Sequence, residues 1–222
     1  MSIQTKIRAK LDKDSMIRES YFPTTIFRFS VAPEVVDNDH ILDLVYAARK
    51  EDQEGIERSN FKSLGGWHSH NNLHKDTEYA SLVTAIDDAG ALMSSELGYA
   101  ENKKISIGTM WSIINPPGGA NRAHIHPDCI WSGVYYVQAP KDCGQIEFTD
   151  PRTQNLMIQP KFRPSSRRPR HCWTKVRFDP KPGKMLIFPS WLYHGVMPNV
   201  TKAAGDAANR VIISFNLNQQ NK

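Results

Sequence analysis

The chain has 222 residues, 28 Lys and Arg against 23 Asp and Glu, and 40% hydrophobic residues. This is ordinary globular composition; it excludes collagen, a coiled coil and a disordered chain, and it favours one core over two. No run of about eighteen apolar residues is present, which excludes a spanning helix. Residues 1–16 lack the apolar centre of a secretory signal. Three scattered cysteines, Cys129, Cys143 and Cys172, form neither a zinc pattern nor a disulfide framework. Together these features predict a cytoplasmic protein without a membrane partner.

In chain order, residues 21–31 are β-branched and aromatic and read as a strand or strand pair. Residues 39–57 place Ile41, Leu42, Leu44, Val45 and Ala48 at helical spacing. Residues 63–74, rich in Gly, Ser and Asn, read as a loop over the mouth of a site, His68 and His70 included. Residues 78–98 read as a second amphipathic helix stopped by Gly98. Beyond Lys104 the pattern becomes short alternating runs separated by turn residues: 105–114, 131–138, 145–150, 155–160, 184–190 and 210–218. Many short strands at near-regular spacing predict an antiparallel sandwich or barrel, mainly β with flanking helices. The expected organisation is one domain, with residues 1–104 a mixed N-terminal support and 105–218 the β core. Trp111, Trp131 and Trp191 are expected in the core or in a pocket wall. No βαβ alternation with a Gly-rich phosphate loop is present.

The segment from Arg122 to Trp131 carries His124, His126 and Asp128 at i, i+2 and i+4. In an extended chain all three face the same way, and a divalent cation would pair them. His194 follows an apolar run and a Pro-Ser turn. A His-x-Asp pair with a distal His is the sequence form of the 2-His-1-carboxylate triad of non-haem iron sites. Along the last predicted strand Arg210, Ile212, Ser214 and Asn216 share a face. An arginine pointing into a barrel needs an anionic partner, and a dicarboxylate co-substrate would supply one through a bidentate fork.

The stretches NPPGGANRAHIHPD, WSGVYYVQAP, IEFTDPR, MLIFPSWLYHGVMPN and RVIISFN, spanning roughly residues 105–218, resemble the Fe(II)/2-oxoglutarate-dependent dioxygenases, and more narrowly a 2OG-Fe(II) oxygenase family of bacteria and marine phages. The resemblance implies a double-stranded β-helix, or jelly-roll, core. It also implies a hydroxylase that uses Fe(II), 2-oxoglutarate and O2 on an unidentified substrate, a prolyl or other amino-acid side chain by analogy, with succinate and CO2 as co-products. His126 and His194 match the iron ligands. Asp128 fills the carboxylate position, whereas the narrower family's His-x-His-Pro pattern matches His124 and His126. The third ligand is therefore Asp128 or His124, with Asp128 preferred because a carboxylate balances the iron's charge. Arg210 matches the arginine that pairs with the far carboxylate of 2-oxoglutarate. Ile212 stands where the superfamily often has a serine, which leaves Ser214 to add a hydrogen bond. Tyr136 matches a tyrosine reaching the same carboxylate, and Asn115 is a further pocket candidate.

Two rival functions remain at this stage. One is a cupin-like metal-binding jelly roll without oxygenase activity, which would have no need of Arg210. The other is a nucleic-acid-binding module using residues 161–177, which hold seven Lys and Arg and no acid.

Overall fold

The computed structural model describes residues 16–158, 160–162 and 169–222. Two antiparallel sheets face each other. The larger runs β1 (Phe27–Ser30), β8 (Lys184–Pro189), β5 (Trp131–Gln138), β10 (Arg210–Asn221), β3 (Lys103–Asn115) and β2 (Trp67–His68) from edge to edge. The smaller runs β4 (Asn121–His124), β9 (His194–Val196), β6 (Ile146–Thr149) and β7 (Lys175–Phe178). This is the expected jelly-roll sandwich. Its long ladder joins β10 to β3 from Arg210↔Asn115 to Asn221↔Lys103, with a register shift at Asn216/Leu217.

The central strands are buried on both faces, which explains why β5 shows no polar alternation: Trp131 through Val137 are all buried. On the outer face, α1 (Asn38–Glu51) and α3 (Ala80–Glu96) cover the large sheet. Ile41, Val45, Leu82, Ile86 and Met93 pack there with Met110, Ile114, Tyr135, Ile213 and Phe215. Helix α1 starts where Asp37 caps the backbone N–H groups of Asp39 and His40, and its last turn carries Arg49 and Lys50 against the negative end of its dipole. Helix α3 ends where Gly98 takes a left-handed φ of 65°. On the inner face a second core joins the sheets through Val134, Tyr136, Ile146, Phe148, Leu186, Phe188, Leu192 and Ile212. Among the described residues, no helix is long and apolar enough to cross a membrane.

Several expected elements are revised. The long helix ends at Glu51, and a short α2 (Glu54–Arg58) follows after a break at Asp52–Gln53. The loop at 63–74 contributes β2, an edge strand on β3. Within the run expected as a strand at 155–160, the described residues instead form a helical turn, α4 (Gln154–Met157), with Met157 and Ile158 more than four-fifths exposed. Apolar composition alone cannot hold a strand there, because no neighbouring strand offers it a ladder.

Candidate metal centre and co-substrate pocket

The two inner strands β4 and β9 bring the first histidines together. His124 ends β4 and lies directly across from His194, the first residue of β9. His194 is also paired to Phe148 of β6, so its backbone is held on both sides. His126 lies two residues beyond β4, where its N–H donates to the Ser190 carbonyl at 3.0 Å. The ring centroids are 4.4 Å apart for His124 and His194, and 5.1 Å for His126 with either of them. One ring nitrogen from each lies within 4.8 Å of the others, a group able to hold a metal ion.

Asp128 stands outside this group. The chain leaves extended geometry at Pro127, and Asp128 takes a left-handed φ of 64° on an exposed turn. Its carbonyl accepts a bond from Asn218. An i, i+2, i+4 alignment requires a straight strand through Asp128, and the strand stops at His124. The structure thus brings His124, not the preferred Asp128, beside His126 and His194.

Each imidazole is oriented by its other nitrogen. His124 Nδ1–H donates to the Arg122 carbonyl at 2.7 Å, and His194 Nδ1–H to the Leu192 carbonyl at 2.9 Å. Both bonds leave Nε2 as the free lone pair, the arrangement metal-binding histidines use. His126 hydrogen-bonds the Asn216 side chain, whose Oδ1 accepts from Ser132 Oγ at 2.9 Å. Burial pushes the His126 pKa down to about 4, assisted by neighbouring His124 and opposed by Asn216. Burial pushes His194 down to about 3, against the pull of the Leu192 carbonyl. Both are neutral at pH 7.

The same cavity reaches Arg210. It is lined by the three histidines, by Trp111, Asn121, Tyr136, Ser214 and Arg210, and by an apolar wall that includes Ile113, Val134, Ile146, Phe188, Val196 and Ile212. Arg210 has no exposed surface. Its Nη1 donates to the carbonyls of Cys143, Met197 and Gly144. Its Nε and Nη2 have no partner, and no described carboxylate pairs with it. Tyr136 is nearly fully buried beside it; burial raises its phenol pKa and the Arg210 charge opposes that rise. Ser214 lies on the cavity face of β10, as expected. Asn115 faces away from direct lining and holds the frame instead. Its Nδ2 donates to Asn121 Oδ1 at 3.0 Å, and its carbonyl accepts from Asn199 Nδ2 at 3.1 Å. Trp111, expected in the core or a pocket wall, lines the cavity, and Asn121 is a polar lining residue that the sequence did not point to. For Asn121 the available signal was its place in the stretch leading to the histidines.

The remaining expectations fall elsewhere. His68 and His70 take no part in the cluster; His68 stacks on Trp111, and His70 lies 3.9 Å from the Asp52 carboxylate. Trp131 is core, with its indole N–H on Tyr99 Oη, while Trp191 is half-exposed. Of the basic segment, residues 163–168 lie outside the described residues. Lys175 and Arg177 are both bound to Glu147 on neighbouring β6, which spends their charge within the sheet.

Residues 109–216 match the model of a family described as "Putative 2OG-Fe(II) oxygenase". No match to the chain is found among curated proteins. Among solved structures, a Pseudomonas putida prolyl-4-hydroxylase is 16% identical, covers 88% of this chain and 92% of its own, and superposes with a TM-score of 0.55. The viral collagen prolyl hydroxylase of Paramecium Bursaria Chlorella virus-1, solved with 2OG, is 12% identical over 86% and 94%, with a TM-score of 0.50. The epimerase SnoN of nogalamycin biosynthesis, solved with Fe3+ and alpha ketoglutarate, is 12% identical over 90% and 82%, with a TM-score of 0.56. At these identities the structures establish the fold. Residues 109–216, the β core and a little under half of this chain, match the 2OG-Fe(II) oxygenase family model.

Proposed function

We propose that the protein is a cytoplasmic hydroxylase in which His124, His126 and His194 hold ferrous iron and Arg210 holds 2-oxoglutarate. The observation that carries this reading is the guanidinium of Arg210. A fully buried cation with two unpaired nitrogens, opening into the cavity that also receives three convergent imidazoles, is costly unless an anion completes it. A keto-diacid fits both ends: a carboxylate for the fork and oxygen donors for the metal.

A ligand set of three imidazoles brings no negative charge to a divalent ion. The co-substrate dianion therefore supplies the compensation that a third carboxylate ligand would have given. Metal and 2-oxoglutarate are expected to raise each other's affinity by the same factor. Asp128, on its exposed turn, is a bystander. Tyr136 and Ser214 flank the fork of Arg210 and fix the orientation of the far carboxylate. The apolar wall of Val134, Ile146, Phe188, Val196 and Ile212 keeps water from the space between the fork and the imidazoles. When bound, ferrous iron supplies the activation of dioxygen, giving the balance R–H + O2 + 2-oxoglutarate → R–OH + succinate + CO2. The substrate's C–H bond must reach the cavity at the histidine end, since the fork end is closed by the carbonyls of Cys143, Gly144 and Met197.

The test needs no prime substrate. Conversion of 2-oxoglutarate to succinate, uncoupled from hydroxylation, is measured with Fe(II) for wild type and four variants. His124→Ala, His126→Ala and His194→Ala are expected at background, and Asp128→Ala is expected to retain most of the wild-type rate. Loss with Asp128→Ala and retention with His124→Ala would overturn the ligand set. Wild type without Fe(II)-dependent succinate would overturn the activity.

A further inference from the structure

We propose that Trp111 is a binding residue for the metal-proximal carboxylate of 2-oxoglutarate, its indole N–H donating to that carboxylate. The inference rests on the functional reading above and adds a contact at the other end of the ligand from Arg210.

Trp111 is about nine-tenths buried and lines the cavity. Its ring is nearly parallel to two imidazoles. His126 is 5.9 Å away at 24° and His68 is 5.9 Å away at 14° on the centroid–centroid measure. Stacking uses the faces of the indole and leaves its edge, where the N–H lies. That N–H is buried and has no partner. A phenylalanine would fill the same slot and stack as well, so packing alone gives no reason for a donor that is costly to bury unpaired. The other buried indoles differ: Trp67 donates to the Asp52 carbonyl and Trp131 to Tyr99 Oη.

Strand register fixes where this donor sits along the ligand. Trp111 pairs with Ser214 and Asn115 with Arg210 on the same ladder. Four residues of strand separate the two rows, about 13 Å between backbones. Trp111, His126 and Arg210 line one cavity, so a diacid lying along it would place one carboxylate at the fork of Arg210 and the other beside Trp111 and His126. The N–H is then matched to a charged acceptor, the stronger class of hydrogen bond.

The test is Trp111→Phe, loaded with Mn(II) and titrated calorimetrically with 2-oxoglutarate. The expected result is 2-oxoglutarate binding about ten- to a hundredfold weaker than in wild type, the loss of one charge-assisted hydrogen bond, with Mn(II) affinity unchanged. Unchanged 2-oxoglutarate affinity would overturn the proposal. So would an equal loss of Mn(II) affinity, which would mean that Trp111 acts by propping His126. Failure of wild type itself to bind 2-oxoglutarate would instead remove the underlying reading. If the variant does not fold, the wild-type protein loaded with diamagnetic Zn(II) answers by NMR. One of its five indole N–H signals must move downfield on adding 2-oxoglutarate, and no movement would refute the contact.

Discussion

One nitrogen of Arg210 holds three backbone carbonyls while two others hold nothing. A structural arginine would be paired on all sides; this one is anchored on one side and offered on the other. The free energies separate the two roles. Replacing a buried charge with an apolar side chain of similar length is often neutral or stabilising by about 1–4 kcal/mol, and the carbonyls left behind cost about 1–3 kcal/mol. The two nearly cancel in the ligand-free protein. Loss of two charge-assisted hydrogen bonds to a carboxylate costs about 3–6 kcal/mol of binding, a factor of at least a hundred. Arg210→Met is therefore expected to melt within a few degrees of wild type when ligand-free and to bind 2-oxoglutarate at least a hundredfold more weakly. A variant that melts far lower yet binds normally would make Arg210 a structural residue. Thermal melts and calorimetry on the same preparation decide it.

At the scale of elements, the turn joining β5 to β6 explains how that guanidinium is seated. Gly144 takes φ of 94°, and a Cβ there would come within 2.0 Å of the Met197 carbonyl and 2.7 Å of Arg210 Nη1. Gly144→Ala combines left-handed strain with a clash against backbone, about 2–5 kcal/mol together. It is expected to lower the melting temperature by roughly 5–15 °C and to weaken 2-oxoglutarate binding, because the guanidinium loses its seat. A melt within a degree or two of wild type would show that the turn relaxes freely. This turn also marks how far the sequence could be read. The long strands were legible because β3, β5, β8 and β10 are apolar runs bounded by turn residues. Of the small sheet, β6 was legible in the run at 145–150, and the other strands were not. β4, β7 and β9 have three or four residues each, with polar or charged members, and their pairing rather than their composition makes them strands. The choice between His124 and Asp128 as the third member of the cluster was beyond the sequence for the same reason. Periodicity places His124, His126 and Asp128 on one face only if the strand continues. Its end at His124 is set by the Ser190 carbonyl that takes the His126 N–H and by the left-handed Asp128. Both are tertiary facts. Trp111 was assignable to core or pocket wall from its strand, but its orphaned N–H was visible only once its surroundings were in place.

At the scale of the whole molecule, the cavity places imidazoles in an environment that resists their charge, so folding and protonation oppose each other. His194 and His126 have folded pKa values pushed down to about 3 and about 4, from 6.5. The folded state therefore binds fewer protons than the unfolded chain below pH 6.5. Stability in the metal-free protein is fullest above that value and is lost as pH falls toward 4 and then 3. At pH 5, His194 alone, 5% exposed, accounts for about 2 kcal/mol. Between pH 7.5 and pH 5 the paired Glu147, whose pKa its bond to Lys175 lowers, contributes little, because carboxylates protonate mostly below pH 5. Urea unfolding of metal-free protein at pH 7.5 and pH 5 should show the loss, and His194→Gln should remove a large part of it. An undiminished loss in that variant would mean that other groups carry the acid sensitivity. Adding a divalent metal sharpens the dependence, because protons and metal compete for the same nitrogens. The metal-loaded protein should gain most over the metal-free one at pH 7.5 and least at pH 5. Chelation at the higher pH should return the metal-free curve.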